Sequence, residues 1–221
     1  MMRRGRFLAC RRGLRGFAFV ALTVGAPAHA ASPGVQALER FFSEVATLEA
    51  RFEQVVLDEN LNTIDDAFGM LWIKRPGRFR WDYQPPEAQH IVGDGERVWL
   101  HDLALEQVTV RDQARALGRS PAILLAGDGD LEQAYDLEDI GVQGRIDWVS
   151  LISRDPQSGF TQVRVGFEAG RLHLVELIDT LDQRTRIRFF DLKENRPVAA
   201  RLFEFSPPDG VDVIDQSEQF P

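Results

Sequence analysis

The chain has 221 residues, 44% of them hydrophobic and 27% charged, with 26 basic against 34 acidic side chains and one cysteine. That length suits one domain with a substantial core. The formal net charge of −8 argues against nucleic acid, whose phosphates need clustered Lys and Arg, and against resting on an anionic membrane surface.

The first thirty residues read as a cleaved export signal. Arg3, Arg4, Arg6, Arg11, Arg12 and Arg15 form a basic start, an apolar run follows from Gly16 to Gly25, and Ala28-His29-Ala30 places small residues where a signal peptidase reads. The run is too short to span a bilayer, which needs roughly 20 apolar residues. Arg11-Arg12 leaves a twin-arginine route open beside the general one. Cys10 precedes the apolar run instead of ending it, so it does not read as a lipid-attachment site. Cleavage after Ala30 would leave residues 31–221 as one domain, with no cysteine and 20 basic against 34 acidic side chains, a net charge near −14. A secreted domain without disulfides must be held by its core.

Ser32-Pro33 predicts a helix start, with serine as N-cap and proline at the first helical position. Val35, Leu38, Phe41, Phe42, Val45 and Leu48 then recur at spacings of three and four, one apolar stripe. Strands are predicted over Phe52–Leu57, Ala67–Lys74, Phe79–Tyr83, His90–Gly93, Val98–His101 and Gln107–Val110. Ser120-Pro121 opens a short apolar helix through Ile123 and Leu124, with Gly127 as its stop. A further short helix is expected over Leu131–Ala134. Strands resume at Ile146–Ile152, Gln162–Phe167, Leu172–Ile178, Thr185–Phe190 and Arg201–Phe205. Roughly eleven strands with few helices predict a mostly β, antiparallel sheet or barrel, the helices covering its mouth or open side. A parallel sheet would need about one crossover helix per strand.

Gly69 to Leu100 is the most informative stretch. It reads as four strands separated by Pro-Gly, Pro-Pro and Asp-Gly breaks. Phe79, Trp81 and Tyr83 alternate with Arg78, Arg80 and Asp82, so an aromatic face opposes a charged one. That aromatic face is kept from water, either by ordinary core packing or by a ligand. Arg75 precedes Pro76, and its guanidinium can hold several carbonyls at once; on spacing alone an exposed turn arginine with a loose acidic neighbour is the favoured reading.

Catalysis finds little support. His90, His101 and His173 sit in separate predicted strands, and no HExxH, Gly-x-Ser-x-Gly or phosphate-cradling loop occurs. Asp128, Asp130, Glu132 and Asp136 lack the glycine a calcium loop requires and read as a solvated acidic loop. No catalytic residue, metal ligand or cofactor is expected, and no enzyme.

The order Leu71-Trp72-Ile73-Lys74-Arg75-Pro76, Phe79-Arg80-Trp81, Gly93-Asp94-Gly95 and Val98-Trp99 resembles the periplasmic outer-membrane lipoprotein carrier (LolA) family. Glu106-Gln107-Val108-Thr109, Asp182-Gln183-Arg184 and the segment Phe203 to Val211 extend the resemblance over nearly the whole mature chain. Asp58 to Asp66 and Asp155 to Thr161 depart from the family's character. The resemblance implies an open, half-closed barrel of about eleven antiparallel strands with a helical lid over a hydrophobic cavity. It implies a soluble periplasmic monomer, without stable membrane insertion. Such a protein takes acylated lipoproteins from an inner-membrane ABC transporter, shields their acyl chains and passes them to an outer-membrane receptor. Arg75 would be the lid latch, Phe79 a mouth aromatic for cargo acceptance and Trp81 a cavity-lining residue. Leu71, Ile73, Trp99, Val35, Leu38, Phe42, Ile123 and Leu124 would complete the lining. A receptor of the same pathway, or a periplasmic sensor or scaffold on the same barrel, remains the alternative.

Overall fold

A computed structural model describes residues 32–114, 121–127, 131–156 and 158–217. The expected signal with its cleavage site, Ser120, Asp128 and Asp130 lie outside these residues. The described residues belong to one unit, Ala31–Pro221.

Helix α1 spans Pro33–Glu44 and is followed by strands β1 (Thr47–Leu57), β2 (Thr63–Lys74), β3 (Arg78–Tyr83), β4 (Gln89–Asp94), β5 (Arg97–Asp102) and β6 (Gln107–Asp112). Helix α2 (Pro121–Ala126) and a 3-10 turn (Leu131–Gln133) lead into β7 (Tyr135–Gln143), β8 (Ile146–Ser153), β9 (Gln162–Glu168), β10 (Arg171–Ile178) and β11 (Arg184–Glu194). A second 3-10 turn (Ala200–Phe203) and β12 (Asp212–Asp215) close the chain. All the strands share one sheet in the order β12-β6-β5-β4-β3-β2-β1-β11-β10-β9-β8-β7. Neighbours pair antiparallel except β12, which runs parallel to β6. The two ends of that order do not pair with each other, so the sheet is curved but open.

Alternation sorts the side chains into two faces. Phe79 and Trp81 on β3 lie opposite Ile73 and Leu71 on β2 and opposite Gly93 and Ile91 on β4. The same inner face continues through Leu48, Ala50 and Phe52 of β1 to Ile187 and Phe189 of β11, then through β10 and β9 to Val149 and Leu151 of β8. These residues form one buried cluster with both helices. One cluster shared by strands this far apart in the order requires the sheet to curl around its inner face.

Helix α1 packs on β7 to β10, and α2 on β2 and β3. Glycine allows the close contact of α1 with β8. A Cβ on Gly34 would stand 2.9 Å from Val149 Cγ2 and 3.1 Å from the Trp148 carbonyl oxygen. Gly93 serves Phe79 in the same way: any Cβ there would overlap the phenyl ring, and Phe79 is fully buried over that gap.

The outer face is solvated in part only. Val92, Val108, Val110 and Phe203 are all at most 2% exposed, and none belongs to the main buried cluster. Val92 pairs with Trp99, and Trp99 with Val110. The turn Ala200–Phe203 packs on β3 and β4, and Phe205 lies 5.7 Å from the Trp99 ring. The C-terminal segment therefore seals a second, smaller core on the back of the sheet.

Three expectations need correction. The apolar stripe predicted to run on to Leu48 breaks at Glu44, because tertiary partners take over the helix end. Asn195 Nδ2 donates to the Glu44 carbonyl and its Oδ1 accepts from Ala46 N; Leu48 is already in β1. Arg201–Phe205 is not a strand: the turn Ala200–Phe203 plants Phe203 in the back core instead. Strands β7 and β12 were not anticipated, which raises the strand number from about eleven to twelve.

Candidate functional site

The turn from β2 to β3 is tied by hydrogen bonds to the ends of both helices. Arg75 N donates to the Ala46 carbonyl at 2.9 Å. The Arg75 side chain donates from Nε to the Gly127 carbonyl at 3.0 Å, from Nη2 to the Leu125 carbonyl at 2.6 Å, and from Nη1 to the Val45 carbonyl. Its guanidinium carbon lies 4.5 Å from the Phe41 ring centre and 4.9 Å from that of Phe42, within cation–π range. Gly77 N adds a bond to the Ala126 carbonyl at 2.9 Å. Gln113 Nε2 in turn holds the Gly77 carbonyl at 2.7 Å.

The physical reason lies in the helix ends. The last carbonyls of a helix have no partner within it and carry the negative end of its dipole. Val45 ends α1, and residues 125–127 end α2. One guanidinium satisfies carbonyls from both, with no described carboxylate paired to it. Burial pushes Arg75 down to about 10, so it stays charged at neutral pH.

Beneath α2 lies a space of about 230 Å³. Trp81, Ile91, Val98, Leu100, Leu177, Phe160, Ala122 and Ile123 supply its apolar wall, and Gln54, Tyr83, Thr109, Arg111 and Thr185 its polar parts. Trp81 stacks beside Tyr83, with ring centres 6.4 Å apart and 19° between planes, and packs edge-on against Phe52 and Phe189. The Tyr83 hydroxyl donates to Gln54 Oε1 at 3.0 Å. Burial first, then the Asp65 charge, raises the Tyr83 pKa, so this hydroxyl remains a donor at any working pH.

Of the residues singled out in the sequence, Trp81 and Ile123 line this space. Leu71, Ile73, Phe79, Leu38 and Leu124 are buried in the adjoining core, and Val35 and Phe42 are partly buried against it. Phe79, expected at a mouth, is 0% exposed. Trp99 is the clear exception. It faces the opposite side of the sheet, where its indole N–H donates to Asp94 Oδ2 at 3.0 Å and its ring meets Arg97 and Phe205. Among the described residues, no cluster of three or more His, Cys, Asp or Glu is placed to hold a metal ion, and no helix is long and apolar enough to cross a membrane.

A family model described as outer membrane lipoprotein carrier protein LolA matches residues 43–206. The chain belongs to the LolA family. An outer-membrane lipoprotein carrier protein of Nitrosospira multiformis is 44% identical over 184 residues, covering 83% of this chain and 89% of that protein. One of Dechloromonas aromatica is 41% identical over 189 residues, covering 86% and 90%. A crystal structure of an uncharacterized conserved protein from Thermus thermophilus superposes with a TM-score of 0.52 at 13% identity, covering 82% of this chain and 96% of that one; it shares the fold.

Within this LolA chain, sequence reasoning missed Gln113, Phe160 and the Tyr83–Gln54 pair. Gln113 directly follows β6, and nothing in its neighbours marks it as a partner of Gly77. Phe160 sits in a loop where no periodicity applies. The alternation of β3 did carry a signal for Tyr83, which shares a face with Trp81.

Proposed function

We propose that this chain is a periplasmic carrier, not an enzyme, that shields the acyl chains of lipoproteins between the two membranes. It would accept them from an inner-membrane ABC transporter and hand them to an outer-membrane receptor, after export and removal of residues 1–30. Family membership supports the cargo class. The observation that carries the mechanism is Arg75, which joins the β2–β3 turn to the ends of both helices. In this reading the helices are a lid, Arg75 is its latch, and the space beneath α2 is the closed remnant of the acyl site. Trp81 and Ile123 line that site from opposite sides. Leu71, Ile73, Phe79, Val35, Leu38, Phe42 and Leu124 enlarge it when the lid lifts.

Magnitudes favour such a device. A cavity of about 230 Å³ is smaller than the roughly 300–1,000 Å³ common for small-ligand sites, so a cargo with several chains enters only if the helices part from the sheet. Three acyl chains carry on the order of 45 methylenes, a gross burial worth roughly 36 kcal/mol at about 0.8 each. Non-covalent affinity saturates near about 18–21 kcal/mol, so a carrier that realised the gross figure would never release. The empty protein already buries its aromatic face under the helices, and loading must first break those contacts and the Arg75 bonds. Only the difference appears as affinity.

Depletion followed by membrane fractionation tests the function. Lipoproteins should accumulate in the inner membrane; normal sorting in depleted cells would refute the carrier reading.

A further inference from the structure

Five buried side-chain polar atoms among the described residues have no hydrogen-bond partner: Trp81 Nε1, Gln113 Oε1, Arg164 Nε, Glu176 Oε1 and Glu194 Oε1. Of their residues, Trp81 alone lines the space beneath α2. Trp81 is 1% exposed, and its indole N–H can only donate. The rings around it, Phe52 and Phe189, carry no oxygen or nitrogen acceptor, and the Tyr83 hydroxyl, which donates to Gln54 Oε1, accepts no hydrogen bond from it. A buried donor without a partner is a standing cost that native proteins rarely keep without a use. Phenylalanine would supply an aromatic wall without that cost.

We infer that the Trp81 indole N–H is the receptor for the carbonyl oxygen at the head of an acyl chain, so that the cavity selects acyl groups over alkyl chains of equal length. The inference rests on the acyl-site reading above. Every acyl chain joins its ester or amide through a carbonyl, and that oxygen loses its water when the chain is buried. A cavity of hydrocarbon alone would leave it unsatisfied. Donation from Trp81 would pair two groups that each lack a partner, one in the empty protein and one in the buried ligand. Affinity for the chain would then carry a polar component that an apolar solvent could not supply. Tyr83, stacked on Trp81 and hydrogen-bonded to Gln54, places a polar pair beside the site, consistent with a head group in this part of the cavity.

The test compares monolauroylglycerol with its ether counterpart, monododecylglycerol, by displacement of an environment-sensitive dye from the full mature chain. Wild type should prefer the ester by on the order of three- to tenfold, the range of one neutral hydrogen bond. Trp81→Phe should abolish that preference, bringing the ester-to-ether ratio to one or below, whatever the change in affinity common to both probes. A ratio unchanged in Trp81→Phe, or equal binding of both probes to wild type, overturns the inference and leaves the acyl site standing. Binding of neither probe to wild type overturns the acyl-site reading and this inference together. A second measurement needs no variant. The Trp81 indole N–H resonance of wild type should move downfield on adding the ester and stay in place with the ether; the same shift with both would sink the proposal.

Discussion

Arg75 gathers partners that lie 30 to 52 residues away along the chain. Spacing could show that an arginine precedes a proline in a turn, but not that three helix-end carbonyls converge there. Those carbonyls belong to helices whose positions depend on the whole sheet. The family resemblance suggested a latch; the arrangement of donors supplies a physical reason for one. Removing the guanidinium leaves helix-end carbonyls to water and releases Phe41 and Phe42 from their cation. Arg75→Leu should therefore favour the open state by about 2–3 kcal/mol, the scale of one or two charge-assisted bonds. Amide exchange in α2 should accelerate, and bound lipoprotein should pass to an acceptor more slowly than from wild type. Equal transfer rates would remove the latch from the mechanism. Trp99 shows the opposite limit at this scale. Its type and neighbourhood matched the other aromatics, yet its place in β5 puts it on the back of the sheet.

At the level of elements, alternation was the legible signal. Phe79-Arg80-Trp81 on β3 and Thr185-Arg186-Ile187-Arg188-Phe189 on β11 announce their strands, and each turns its apolar side to the inner face. Strand β7 was not legible because Asp136, Glu138 and Asp139 give it the composition of a solvated loop. It is a strand because β8 offers a ladder and Leu137 an anchor opposite Leu151. The segment around Phe203 defeated pattern reading for a different reason: its fold answers to a surface made by β3 and β4. Phe203→Ala should cost about 3–5 kcal/mol, as for other buried phenylalanines, lowering the urea midpoint. Because Phe203 belongs to the back core, acyl binding measured under native conditions should be unchanged. Loss of binding in a variant that is still folded would show that the two faces are coupled.

Across the described residues, stability rests on one curled sheet, two α-helices and a back core, with no covalent staple. The sole cysteine, Cys10, lies in the segment expected to be removed. The mature chain should therefore unfold at the same urea concentration with and without reductant. A midpoint that falls on reduction would mean that Cys10 is retained and pairs with something. Composition and element count were sufficient to read the fold class as a mostly antiparallel sheet or barrel; its openness came only as what the family resemblance implies. They could not show which half of the sheet each helix covers, since that depends on contacts such as Gly34 against β8.

Among the described residues, the same openness leaves two strands, β7 and β12, without a neighbour on one side. An unpaired edge is a template on which a second molecule can add a strand, a hazard the more acute if the proposed carrier parts its apolar layers to load cargo. Both edges are poor templates. β7 carries three acids and slips register between Asp139 and Gly141, while β12 is four residues long and begins and ends with aspartate. The chain can thus stay open along its side without growing into a fibre.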